Sequence, residues 1–163
     1  MPQTREQFVA RYGRVYEHSA WVAEETFAEA CEISDPATLA QVFASCVDEA
    51  PYDRKLALIR EHPDLAGKAA VAGDLTQASS AEQSSAGIDQ CTPEEYEQFQ
   101  SLNAQYRDKF AFPFVMAVRD SNRGDILSEF GRRARNDEAT EFATAITEIH
   151  KIARLRLEAM DKP

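Results

Sequence analysis

Helix-start signals recur along this chain, and they constrain its fold more than any other feature. Thr4 with Gln7 fits a capping box, and Phe8, Val9, Tyr12 and Val15 follow at helical spacing, so residues 5 to 16 are expected to form a short amphipathic helix. Ser19 can cap a second helix carrying Trp21, Val22, Phe27 and Ala30 and ending near Ser34. Asp35-Pro36 sets an N-cap before a proline at the first helical position, and Leu39, Val42, Phe43 and Cys46 give the following helix its apolar face. Pro51 opens a fourth, with Leu56, Leu58 and Ile59. Thr92-Pro93-Glu94-Glu95 combines cap, proline and capping-box acid ahead of a long helix striped by Phe99, Leu102, Tyr106 and Phe110. Ile126, Leu127 and Phe130 mark a helix from about 124 to 134, and Asn136-Asp137 caps a last one over 138–160. The run FAFPFVMAV at 110–118 reads as a helix end, a proline break and another buried turn or short helix, because Pro113 lies inside it and no second run could pair with it. The expected architecture is all-α, a single domain over 1–163 built as a bundle of roughly seven to nine helices.

The pattern breaks between His62 and Gly87. Pro63 stops the preceding helix and disfavours the α conformation at His62, which is therefore expected extended at a helix exit. Residues 63–77 hold two glycines and four alanines with little periodicity, as a loop packed close to something would. A short helix over 80–88 follows, with Ser79 and Glu82 at its mouth.

A net charge of -10 argues against a polyanionic partner, since phosphate binding needs clustered Lys and Arg. No nucleic-acid partner is expected on that ground. Cys31, Cys46 and Cys91 lie far apart without CxxC spacing, which suits small core residues in a reducing, cytoplasmic compartment. No apolar run approaches membrane-span length, the N-terminus is polar from the start, and Asp161-Lys162-Pro163 is not a Ser-Lys-Leu type address, so neither export, a membrane nor the peroxisome is expected.

The histidines are His18, His62 and His150, and none stands at metal-ligand spacing, so no metal is expected. A histidine acting without metal is a proton carrier, since imidazole titrates near pH ~6.5. His62 is the best placed; His18 could cap or pack, and His150 beside the last apolar face reads as structural. Ser79-x-x-Glu82 has a plain reading, a capping box worth about 1 kcal/mol. At about 100° per residue, Arg156 falls within the stripe of Phe142, Ile146, Ile149, Ala153 and Met160 while Arg154 points away. An inward guanidinium must either pair with a carboxylate or face a polar cavity. Asn103, on an otherwise apolar face, raises the same question. His62, Ser79, Glu82, Gln83 and an inward arginine could converge on a small polar cavity suited to an anionic, hydrogen-bond-rich small molecule.

Five stretches together resemble one family. YEHSAWVAE at 16–24, HPDLAGK at 62–68, SSAEQSSAGID at 79–89, LNAQYRDKFAFPFVMAV at 102–118 and EIHKIARLRL at 148–157 look like the 2-oxo-4-hydroxy-4-carboxy-5-ureidoimidazoline (OHCU) decarboxylases of urate breakdown. The resemblance implies an all-α homodimeric enzyme, without cofactor, that converts OHCU to (S)-allantoin. Carried over by position, the family's catalytic histidine falls on His62, with Pro63 beside it in the substrate contact. Its S-x-x-E-Q motif falls on Ser79, Glu82 and Gln83, with Glu82 as the second catalytic group. Its FPF segment places substrate-contacting backbone at Phe114, Val115, Met116, Ala117 and Val118. Its late arginine falls in RLRL, where the stripe selects Arg156 over Arg154. Two positions depart from the pattern: Ala111 stands where KFGFPF has glycine, and Ala20 where EHSPW has proline. A decarboxylase or hydrolase of another ureide, and a non-catalytic helical binding module, are the competing readings.

Overall fold

The computed structural model describes residues 2–160, so the tripeptide on which the peroxisomal expectation rests lies outside the described residues. Among these residues the chain forms nine α-helices, one short 3-10 turn and no strand, in agreement with the all-α expectation. It divides into two compact units, Met1–Glu61 with Thr147–Pro163, and His62–Ile146.

The first unit holds α1 (Arg5–Tyr12), α2 (Trp21–Ala30), α3 (Pro36–Asp48), α4 (Tyr52–Arg60) and residues 147–160 of α9 (Glu138–Met160). Thr4 and Gln7 close the expected capping box on α1, but the helix stops at Tyr12 before Gly13, so Val15 is buried beyond its end. Asp35 caps α3 by accepting from the Thr38 N–H, with Pro36 in the first turn. Phe8, Tyr12 and Phe43 are buried with mutual ring contacts, and Phe8 also meets Phe27 edge-on at 5.6 Å between centroids. The cysteines are half-buried free thiols rather than core residues.

The second unit holds α5 (Lys68–Ala72), α6 (Gln77–Ser85), the 3-10 turn Ile88–Gln90, α7 (Pro93–Phe110), α8 (Arg123–Arg133) and residues 138–146 of α9. Its core is aromatic. Tyr106 contacts Phe110, Phe112, Phe114 and Phe130, and Phe114 stacks on Phe130 at 3.9 Å between centroids.

Three local expectations change in this unit. The expected loop contains α5, an alanine-rich segment too short to show a period, closed by Gly73 at φ +77°. Thr76, not Ser79, caps α6 by accepting from the Ser79 N–H at 3.2 Å, so the Ser79–Glu82 capping box does not exist and Ser79 lies inside the first turn. The 110–118 run has its helix end at Phe110 as expected, but 112–118 is an irregular, largely buried stretch rather than a further helix. Ala111 caps α7 at φ +61°, the left-handed conformation that favours glycine.

Candidate active site

His62 leaves the end of α4 and is buried, at 5% exposure. Beyond Pro63 the backbone runs between α6 and α7, and side-chain amides hold each of its next three residues. Gln83 of α6 donates through Nε2 to the Asp64 carbonyl at 3.2 Å and accepts from the Ala66 N–H at 3.1 Å. From α7, Gln100 donates to the Ala66 carbonyl at 2.6 Å and Asn103 to the Leu65 carbonyl at 3.0 Å. One turn on, Arg107 pairs with the Asp64 carboxylate, its Nε 3.1 Å from Oδ1. Ala66 is held at φ +52°, a conformation that costs a residue bearing a Cβ.

The fold thus brings His62, Pro63 and the α6 motif into one unit. Ser79 and Gln83 are buried on one face of α6, four residues apart, and Glu82 is half-buried beside them. Gln83 differs from expectation in one respect: both ends of its carboxamide bond the loop, leaving one N–H and one lone pair for a substrate.

The 114–118 stretch lies in the same unit and is held differently. Arg133, 1% exposed, donates to the Val115 carbonyl at 2.7 Å and sits over the Phe114 ring at 4.3 Å. Its charge is met by the fully buried Glu141 at 2.9 Å, whose carboxylate also accepts from Tyr106 Oη at 2.6 Å and Asn136 Nδ2 at 2.9 Å. Burial, then the Glu141 hydrogen bond and charge, push the Tyr106 phenol far above its ordinary pKa. Arg133 Nη2 has no hydrogen-bond partner among the described residues.

Neither Arg133 nor Glu141 was singled out in the sequence, although the helical period that turns Arg156 inward, applied to each of their helices, buries them too. Arg133 follows Phe130 by one turn and Ile126 by two, and Glu141 precedes Ala145 and Ile149 on one face.

Arg156 lies in the first unit, 8% exposed, with Nη2 2.9 Å from Glu17 Oε2 and Nη1 within 3.5 Å of the Val15 carbonyl. Arg154 is exposed and pairs with Glu158, as the stripe implied. His150 is structural in its contacts, bonding Tyr16 Oη at 2.8 Å and Asp48 Oδ1 at 2.9 Å, whereas His18 is exposed at φ +47°. A cavity of about 580 Å³ opens beside the loop, lined by residues such as Val71, Leu75, Gln83, Cys91 and Tyr96. It includes neither His62 nor Glu82, so its walls offer no proton carrier of the predicted pair. No described helix is long and apolar enough to cross a membrane.

Comparison with known proteins matches a family model described as OHCU decarboxylase over residues 2–158. The chain is 43% identical over 159 residues to a 2-oxo-4-hydroxy-4-carboxy-5-ureidoimidazoline decarboxylase of Halalkalicoccus jeotgali, covering 98% of this chain and 88% of that one. Among solved structures it superposes on a crystal structure of (S)-allantoin synthase with TM-score 0.76 and 32% identity, over 96% of this chain and 50% of that one. It also superposes on a crystal structure of OHCU decarboxylase determined in the presence of (S)-allantoin, with TM-score 0.72 over 90% of this chain and 94% of that one. That second likeness, at 18% identity, bears on the fold alone.

Proposed function

The chain belongs to the OHCU decarboxylase family, and we propose that it converts OHCU to (S)-allantoin in urate degradation without a cofactor. The observation that carries this reading is the family match over residues 2–158, a span that contains His62, Ser79, Glu82 and Gln83. The match spans both compact units, which supports treating 1–163 as one functional domain.

The reaction explains why protein side chains suffice. In OHCU the carboxylate sits on a carbon next to a C=N bond. When the bond to the carboxylate breaks, carbon dioxide leaves and the electron pair joins the two ring carbons, while the C=N pair moves onto nitrogen, which takes up a proton. The enol so formed loses its hydroxyl proton and gains one on the ureido-bearing carbon, giving allantoin. His62 and Glu82 form the coupled pair that takes the hydroxyl proton and delivers a proton to one face of the enol, which sets the S configuration. Positioned proton transfer of this kind contributes about 10²- to 10⁴-fold.

Recognition falls to the remaining residues. Ser79, the free valences of Gln83, Pro63 and the backbone of Phe114, Val115, Met116, Ala117 and Val118 read the ureido and ring groups. Arg156 anchors an anionic or carbonyl oxygen; it does not grip the departing carboxylate, since holding ground and transition states equally accelerates nothing. The protein is a cytoplasmic homodimer, on the family resemblance and the scattered free cysteines.

The test is to follow freshly generated OHCU by circular dichroism with and without the protein. Faster appearance of (S)-allantoin is expected. Decay at the spontaneous rate to racemic product refutes the reading and favours a non-catalytic binding module.

A further inference from the structure

The geometry points to Asn103 as a positioning residue for His62, acting through the Leu65 carbonyl; its kinetic consequence rests on the decarboxylase reading. Asn103 is 6% exposed on the face of α7 that carries Phe99, Tyr106 and Phe110. Its Nδ2 donates to Leu65 O at 3.0 Å, whereas its Oδ1 is buried with no partner among the described residues. A buried acceptor left without a donor is a standing cost, so stability alone does not explain a carboxamide here. What it supplies is direction. Gln83 and Gln100 fix the peptide groups on either side, and Asn103 closes the set at the residue between them.

The route to His62 is short. Pro63 restricts its own φ and the conformation of His62, so a shift of the Leu65 peptide is passed along a stiff chain rather than absorbed by rotation. Ala66 at φ +52° does not rest in that conformation unaided, which makes the clamp necessary rather than incidental. Removing the Asn103 donor lets the loop relax and moves the imidazole away from the geometry proton transfer requires.

The experiment compares Asn103→Leu and Asn103→Asp with the parent, using Gln105→Ala, on the exposed side of the same helix, as control. Hydrogen exchange over residues 62–67 and steady-state kinetics on OHCU are measured on samples shown by melting to be folded. In Asn103→Leu, exchange over 64–66 rises on the order of tenfold, and kcat falls about 10- to 100-fold with KM within about threefold, the pattern of misplaced chemistry rather than lost binding. Asn103→Asp loses rate relative to the parent as the pH rises and its carboxyl ionises against the Leu65 carbonyl, burial moving that ionisation above the ordinary carboxylate range. Its rate relative to the parent recovers as the pH falls, because the protonated acid again donates a hydrogen bond. Gln105→Ala behaves as the parent. A folded Asn103→Leu with unchanged loop exchange and unchanged kcat overturns the proposal, and so does an Asn103→Asp whose ratio to the parent is flat with pH. If Asn103→Leu does not fold, the aspartate variant decides. A parent protein that does not accelerate OHCU decay refutes the decarboxylase reading instead, and loop exchange alone then decides the positioning role.

Discussion

Two irregular stretches of the second unit, 62–67 and 112–118, are buried to a similar degree yet held by opposite means. In the first, side-chain amides grip the peptide groups of Asp64, Leu65 and Ala66, and the apolar contribution is little more than Leu65 and Ala66 themselves. In the second, Phe112 and Phe114 enter an aromatic cluster and Arg133 takes the Val115 carbonyl. A net hydrogen bond contributes about 1 kcal/mol but is strict about direction, whereas a buried phenylalanine contributes about 1.5–3 kcal/mol with little directional demand. The loop bearing His62 is therefore placed more than it is stabilised, and the 112–118 stretch is stabilised more than it is placed. Damage to the first should read out as activity, and damage to the second as stability.

The largest expected effect comes from the ring-held stretch. Phe114→Ala removes the stack on Phe130 and leaves a cavity, and denaturant unfolding should show a loss of about 3–5 kcal/mol. Gln83→Leu is the counterpart in the amide-held loop. It strands the Ala66 N–H and the Asp64 carbonyl, so unfolding should show a loss of about 1–3 kcal/mol. Its activity should fall by more than that loss of stability accounts for, with Phe114→Ala keeping the larger share of its rate in the folded fraction. Equal loss of activity in both variants would erase the contrast.

A third prediction concerns pH. The Tyr106 phenol is raised by burial and by Glu141, so the folded state favours its neutral form. Its stabilising contribution is complete below the ordinary tyrosine pKa and is lost as pH climbs above about 10, at up to about 1.4 kcal/mol per pH unit for the one proton. Stability measured from pH 9 to about 11 should fall less steeply in Tyr106→Phe than in the parent. The smallest effect is at Ala111, between the aromatic helix and the 112–118 stretch. Its φ of +61° suits glycine, so Ala111→Gly should raise stability by up to about 1 kcal/mol, read as a small rise in melting temperature.

How much of this was legible in the sequence divides along the same line. Local chemistry was: Thr4, Asp35 and Thr92 cap their helices as the residue pattern indicates, and the helical period correctly buries Arg156 and exposes Arg154. The period could equally have found Arg133 and Glu141. What it could not find were partners, because Asn103 meets Leu65 from 38 residues away and Gln83 meets Ala66 from 17. Ser79 was misread as a cap because its spacing to Glu82 imitates a capping box, whereas Thr76, without an acid three residues on, starts the helix. The roles of His62, Glu82 and the recognition residues came from resemblance, since no local rule separates a helix-stopping histidine from a proton carrier.

The most direct test of the account is the rate of OHCU conversion by His62→Ala, measured beside the parent at equal folded concentration and with melting curves for both. The expected result is a fully folded protein whose conversion has dropped to the spontaneous rate and whose product has lost its S preference. A folded His62→Ala that retains the parent's rate and stereochemistry would contradict it.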